Sequence, residues 1–230
     1  MGQVVGFCSA KGGVGKSTCI LDFAVFAIKA GLKVLIGDMD FDQQSTMDWA
    51  KRRKALKVDP PIEVKLLTPE MIAKTRELVD LLLLDLPGHA GELTLNVAKQ
   101  VDLMVVVTST NMLELTPNRD LLIALRNEGY AAPRVAIVLT RVPDKQQEVD
   151  ARAYLEAKDF EPLGHSMAYS KAVFNVGNSG KTPQELPYPD VASKARKFVE
   201  GIAKALQEAT GGADEGRARS REPVRGGRGR

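Results

Sequence analysis

The residues best able to do chemistry crowd near the start of the chain: Ala10-Lys11-Gly12-Gly13-Val14-Gly15-Lys16-Ser17-Thr18. Glycines at this density let backbone N–H groups converge on an anion, and a helix that starts straight afterwards adds its partial positive charge. Lys16 is placed to neutralise the outer phosphates of a nucleoside triphosphate, and Ser17 offers a hydroxyl to Mg²⁺. The usual spacing of a phosphate-binding loop has glycine where this chain has Ala10, and an extra lysine, Lys11, precedes the glycines. A Gly-Lys-Ser match alone is common, and context gives it weight. Val4-Val5-Gly6-Phe7-Cys8 reads as a buried strand entering the loop, and Cys19 to Ile28 as a buried helix leaving it.

Carboxylates supply the second half of such a site. Lys33 to Gly37 reads as a buried strand running into Asp38-Met39-Asp40, the end of a strand at which open α/β sheets hold ligands. Leu81-Leu82-Leu83-Leu84-Asp85 reads as a central buried strand delivering one carboxylate, as in a Walker B motif. That carboxylate would hold Mg²⁺ through water, because the ion keeps most of its hydration shell. Thr140 and Arg141 close a later strand, Val135 to Leu139, and are candidate nucleotide contacts.

The elements that must position these groups alternate along the chain. Helices are expected over about Gln43 to Leu56, from Pro69, over Pro117 to Asn127, over Gln146 to Ala157, and last on the face Val191, Ala195, Phe198, Ile202 and Leu206. Strands are expected over Ile62 to Leu67 and Leu103 to Val107. Repeated βα units imply an α/β fold, a three-layer P-loop NTPase whose mostly parallel twisted sheet is flanked by helices.

With 230 residues and 44% apolar content, one domain with a sizeable core is expected. It should span residues 1–209, with a disordered Arg/Gly-rich tail over 210–230. The formal net charge of +3 is matched by the last twenty residues, where six arginines face Asp214, Glu215 and Glu222. No apolar run approaches the roughly 20 residues of a membrane span. Nor does a basic, then apolar, then cleavable segment open the chain, so a cytoplasmic protein without membrane attachment is expected. Cys8 and Cys19 lack metal or disulfide spacing and read as packing residues. His89 and His165 are isolated.

Lys11 to Thr18, Asp38-Met39-Asp40 and Asp85-Leu86-Pro87 together resemble the ParA/MinD family of deviant-Walker ATPases, most of all its small plasmid-partition ParA members. The resemblance implies ATP and Mg²⁺, with Lys11, Gly12, Gly13, Val14, Gly15, Lys16, Ser17 and Thr18 around the nucleotide. It implies an ATP-dependent sandwich homodimer in which Lys11 reaches the facing subunit's phosphates, although Lys11 stabilising its own site is a simpler alternative. Lys11, Lys16 and Asp40 would be catalytic, Asp40 positioning the attacking water; Ser17, Asp38 and Asp85 would surround the metal. Where family members commonly read Asp-x-Asp-Pro-Gln, this chain has Asp38-Met39-Asp40-Phe41-Asp42.

That resemblance implies a DNA-segregation ATPase, nucleoid-associated, which binds double-stranded DNA without sequence preference and is stimulated by a ParB-like partner or cargo adaptor. Lys171 and Lys181 are candidate phosphate contacts, as are the tail arginines and the cluster Lys51-Arg52-Arg53-Lys54-Lys57, whose alternative is a solvated helix face. Positioning of another cargo is the second reading. A membrane-cycling relative would need a terminal amphipathic helix with bulky apolar residues, and the tail offers none. An iron–sulfur reductase would need cysteines beyond Cys19, and there are none.

Overall fold

A computed structural model of the chain describes residues 1–89 and 91–219. In order the elements are β1 (Gln3–Cys8), α1 (Lys16–Lys29), β2 (Val34–Asp38), α2 (Ser45–Ala55), β3 (Glu63–Leu66), α3 (Ile72–Thr75), β4 (Leu81–Asp85), α4 (Gly91–Ala98), β5 (Leu103–Thr108), α5 (Met112–Asn127), β6 (Val135–Leu139), α6 (Lys145–Glu156), α7 (Lys171–Asn175) and α8 (Pro189–Arg219). The strands form one sheet in the order β3-β2-β4-β1-β5-β6, and every pairing is parallel.

Strand residues alternate between two faces, and both faces are apolar because both are covered. Val5, Phe7, Ile36, Leu83 and Val105 pack with α1, α2 and α8, while Val4, Leu35, Leu82, Leu84 and Val106 pack with α3 to α6. Register then fixes the site. Phe7 lies opposite Asp85 and Asp85 opposite Asp38, so two carboxylates end adjacent strands beside the loop that leaves β1. The chain goes from β1 to β2 on one side and reaches β5 on the other, which puts the switch in strand order at that loop.

Some expectations shift. The helix predicted from Pro117 begins at Met112, because the Asn111 side chain caps it by accepting the Leu113 N–H at 2.9 Å. Pro117 then sits inside the helix, at the loss of one backbone rung. The helix predicted from Pro69 is broken into 3₁₀ turns on either side of the four-residue α3. α4 has no counterpart in the sequence prediction. α8 continues to Arg219, past residue 210 where a disordered tail is expected. Extending an existing helix needs no new nucleation, which offsets part of the cost of Gly211, Gly212 and Gly216. Residues 220–230, most of the expected tail, lie outside the described residues.

Candidate functional site

The loop between β1 and α1 is braced at both ends. At its start, the Ala10 N–H donates to Asn118 Oδ1 at 2.8 Å, and Ser9 Oγ donates to the Lys11 carbonyl at 2.8 Å. At its end, Thr140 Oγ1 lies 2.5 Å from the Val14 carbonyl. Between the braces, Gly13 and Gly15 take φ of +82° and +97°, a left-handed backbone open to glycine at little cost. Ala10 is absent from the positive-φ residues, so the glycine of the usual pattern is not required there. Gly88 is also close-fitted: a Cβ on it would stand 3.1 Å from the Gly12 nitrogen.

These groups open on a cleft of about 250 Å³ lined by Lys11, Gly12, Gly13, Gly15, Lys16, Ser17, Thr18, Asp40, Gln43, Ser45, Asp85, Gly88 and Arg141. Lys16 Nζ rests on Asp85 Oδ1, and Ser17 Oγ lies 3.2 Å from Asp85 Oδ2. Burial pushes the Asp85 carboxyl above its ordinary value, even against the pull of Lys16. Asp38 is fully buried and committed to the backbone. Its Oδ1 accepts the Asp40 N–H at 3.1 Å, and its Oδ2 accepts from Thr46 Oγ1 at 2.7 Å and the Met47 N–H at 3.2 Å. It therefore ties the start of α2 to the end of β2. Asp40 is anchored through Oδ1, which accepts the Gln43 N–H at 2.9 Å, and has no described protein partner on Oδ2.

A smaller recess of about 110 Å³ adjoins the cleft, sharing Gly15, Thr18 and Arg141 with it, and adds Thr140, Met167, Ala168, Tyr169, Val173 and Phe174. Tyr169 and Phe174 are exposed, their rings tilted with centroids 6.4 Å apart. A polar, cationic cleft beside an aromatic recess matches the two ends of a nucleotide. Arg141 stands at the join with φ +52°, a strained conformation of the kind that gathers at functional sites.

The structure thus brings Lys11, Gly12, Gly13, Gly15, Lys16, Ser17, Thr18, Asp40, Asp85 and Arg141 together in one cleft. Val14 is buried behind the loop, Asp38 lies beneath, and Thr140 spends its hydroxyl on the Val14 and Thr108 carbonyls. Lys171 is exposed at the first turn of α7 and Lys181 is half-buried, and neither lines the cleft. Gln43, Ser45, Asn118 and the recess residues Met167, Ala168, Tyr169, Val173 and Phe174 were given no site role by the sequence.

The basic cluster on α2 needs correction. Arg53 is not on a solvated face: its exposure is 1%, and it makes a two-pronged pair with Glu185 at 2.7 and 2.8 Å. It also donates to the Pro60 and Gly180 carbonyls, both at 2.8 Å, with Trp49 stacked 5.2 Å away. Arg52 donates to the Gly177 carbonyl at 3.2 Å and Lys51 pairs with Asp48 at 3.0 Å. Cys8 and Cys19 are free and buried, and burial pushes the Cys8 thiol up to about 12.

The model of the CobQ/CobB/MinD/ParA nucleotide binding domain matches residues 5–183, and the chain belongs to that family of nucleotide-binding domains. Among solved structures it is similar to the Pyrococcus furiosus cell division ATPase MinD, with 20% identity, TM-score 0.69, and coverage of 89% of this chain and 99% of that one. A putative plasmid partition protein of Borrelia burgdorferi B31, solved bound to AMPPNP, gives 18% identity, TM-score 0.67 and coverage of 89% and 99%. The Pyrococcus horikoshii septum site-determining protein MinD, complexed with Mg-ADP, gives 16%, 0.70, 88% and 96%. These likenesses establish the fold. Curated sequences give no significant match. No helix among the described residues is long and apolar enough to cross a membrane.

Proposed function

We propose that the chain is an ATP-hydrolysing switch of the ParA type that segregates DNA. The observation that carries this reading is Lys11 and Asp40 lining the same cleft as Lys16, Ser17 and Asp85. A cradle for binding alone needs neither an exposed second lysine at its mouth nor a carboxylate with one oxygen left over.

Each residue has a distinct task. Backbone N–H groups of Gly12 to Ser17 and the Lys16 ammonium hold the triphosphate, replacing the Asp85 carboxylate as the main partner of Lys16. Asp85 and Ser17, hard oxygen donors side by side, would hold Mg²⁺ with Asp38 behind them, and the ion would neutralise charge on the phosphate oxygens. Asp40, fixed by the Gln43 N–H, keeps an oxygen to orient the attacking water. Phosphoryl transfer depends chiefly on such positioning and on charge stabilisation. Lys11 extends from the loop mouth towards a second protomer's nucleotide, which couples hydrolysis to a sandwich homodimer. Phe41 and Asp42 replace the family's Pro-Gln, and the Gln43 and Gln44 N–H groups still fold back onto Asp40.

The dimer would present twice the number of basic contacts to duplex DNA, with Lys171 and Lys181 on that surface. Lysines bind phosphates without reading bases, and counterion release provides the energy. A ParB-like, cargo-bound partner would trigger hydrolysis and release on the nucleoid. The test is filter binding of random-sequence duplex over a salt series, with ATP, ADP or no nucleotide. ATP-dependent binding that falls steeply with salt is expected. No duplex affinity at low salt with ATP would overturn DNA segregation. Asp40→Ala should bind ATP and accumulate as dimer by light scattering, with turnover reduced about 100-fold, the scale of a lost positioning group.

A further inference from the structure

The start of the phosphate-binding loop is held by a residue no motif contains. Asn118 is fully buried in the second turn of α5, directly after Pro117. Its amide is shared between the site and its own helix: Oδ1 accepts the Ala10 N–H at 2.8 Å, and Nδ2 donates to Thr108 Oγ1 at 3.2 Å and the Glu114 carbonyl at 2.9 Å. It therefore bridges the peptide before Lys11, the end of β5 and its own helix. Ser9 completes the clamp, because its Oγ donates to the Lys11 carbonyl and lies 3.3 Å from the Lys11 nitrogen. Ser9 thus holds the Lys11 backbone and Asn118 holds the residue before it, while the Lys11 side chain is exposed.

We propose that Asn118 is the positioning residue for Lys11, aiming it out of the loop mouth at the phosphates of the facing protomer. A lysine has four rotatable bonds, and a reach across an interface succeeds only when its origin is fixed. The brace serves the lysine rather than the cradle. The cradle's glycines lie beyond Lys11 and are secured separately by Thr140 on the Val14 carbonyl and by the start of α1. A buried asparagine mid-helix is otherwise unfavourable, since its side chain competes with the helix for backbone partners. Here one bond does go to the i−4 carbonyl of Glu114, and the other two leave the helix for Ala10 and Thr108. This inference rests on the trans role of Lys11 put forward above.

The experiment is a double-mutant cycle in the full chain with Asn118→Ala and Lys11→Ala, reading ATP affinity by calorimetry, dimerisation by light scattering, and turnover. Asn118→Ala should lower turnover and dimerisation roughly 10- to 100-fold, as expected for a displaced reacting group. ATP affinity should change by less than about 3-fold, since the cradle's own contacts remain. The double variant should be no worse than Lys11→Ala alone, because the brace has nothing left to aim. Where Asn118→Ala folds poorly, Ser9→Ala, which removes the contacts on the Lys11 backbone without burying a charge, should give the same fall in turnover with ATP affinity kept. Additive losses, or an ATP affinity that falls in parallel with turnover, would overturn the positioning role and leave the function standing. A Lys11→Ala protein that dimerises and turns over like the parent would overturn both.

Discussion

Two regions of this protein gather charge, and they use it in opposite ways. At the carboxyl ends of β1, β2 and β4, Lys11, Lys16, Asp40 and Asp85 line an open cleft. Where α1 and α2 meet residues 177–185, Asp22 and Arg53 are sealed inside and Glu185 is half-buried against them, with Lys29 Nζ 3.6 Å from Glu185 at the margin. In the buried cluster nearly every polar atom is matched: Arg53 meets two carbonyls and a carboxylate, and Glu185 Oε2 also accepts the Thr182 N–H at 3.0 Å. In the cleft the donors converge on space. Charge alone therefore does not mark the site; unused donors reachable from solvent do.

The comparison is tested most severely by Arg53→Ala. It leaves half-buried Glu185 without its main partner and the Pro60 and Gly180 carbonyls without their donor, a loss of about 3 kcal/mol, the lower end for a broken buried pair. Denaturant unfolding should show that loss. Survival of full stability would mean that the cluster is no more structural than a surface patch. Lys16→Ala should act on ligand instead, weakening ATP by up to about 100-fold, since a charge-assisted contact is worth up to about 3 kcal/mol. Calorimetric titration reads this directly, and near-parental affinity would break the assignment of the cleft.

Asp22 sharpens the contrast by a smaller effect. Its Oδ1 accepts from the Gln184 backbone and side-chain amides, both at 3.1 Å, whereas Oδ2 is buried without a partner. Burial pushes its carboxyl up to about 6. Between its ordinary value and about 6 the folded state binds the proton more tightly than the unfolded one, so this group's contribution to stability falls as pH rises. The full difference is on the order of 3 kcal/mol. Asp22→Asn should remove that slope and be the relatively more stable protein above pH 6, by about 1–2 kcal/mol once its own unmatched amide is counted. Parallel stability curves for the two proteins from pH 4 to 7 would rule out this titration. The smallest effect belongs to Lys171→Ala with Lys181→Ala. DNA affinity should drop several-fold and the salt slope by about 1 per lysine removed, with ATP affinity unchanged.

Much of the site was legible beforehand because its chemistry is local. Lys11 to Thr18 is contiguous, and Asp38 and Asp85 each end an apolar run whose length and composition demand a buried parallel strand. Such strands deliver their last residues to one edge of the sheet, so order and spacing were enough to bring loop and carboxylates together. Hydrophobic pattern likewise placed all six strands, since each strand's signal is carried by its own residues.

What the tertiary structure alone decided depends on residues far apart in sequence. Arg53 reads as one more cation in a basic stretch, and only its encounter with Glu185, 132 positions later, removes it from any DNA surface. The recess residues Tyr169 and Phe174 take no role from the sequence; they matter because Gly15, Thr18 and Arg141 stand beside them. Asn118 lies 108 positions from the peptide it holds. A charged or amide side chain reports its chemistry in the sequence. Whether that chemistry is spent inside the fold or left for a ligand depends on which distant backbone groups packing sets within hydrogen-bonding reach.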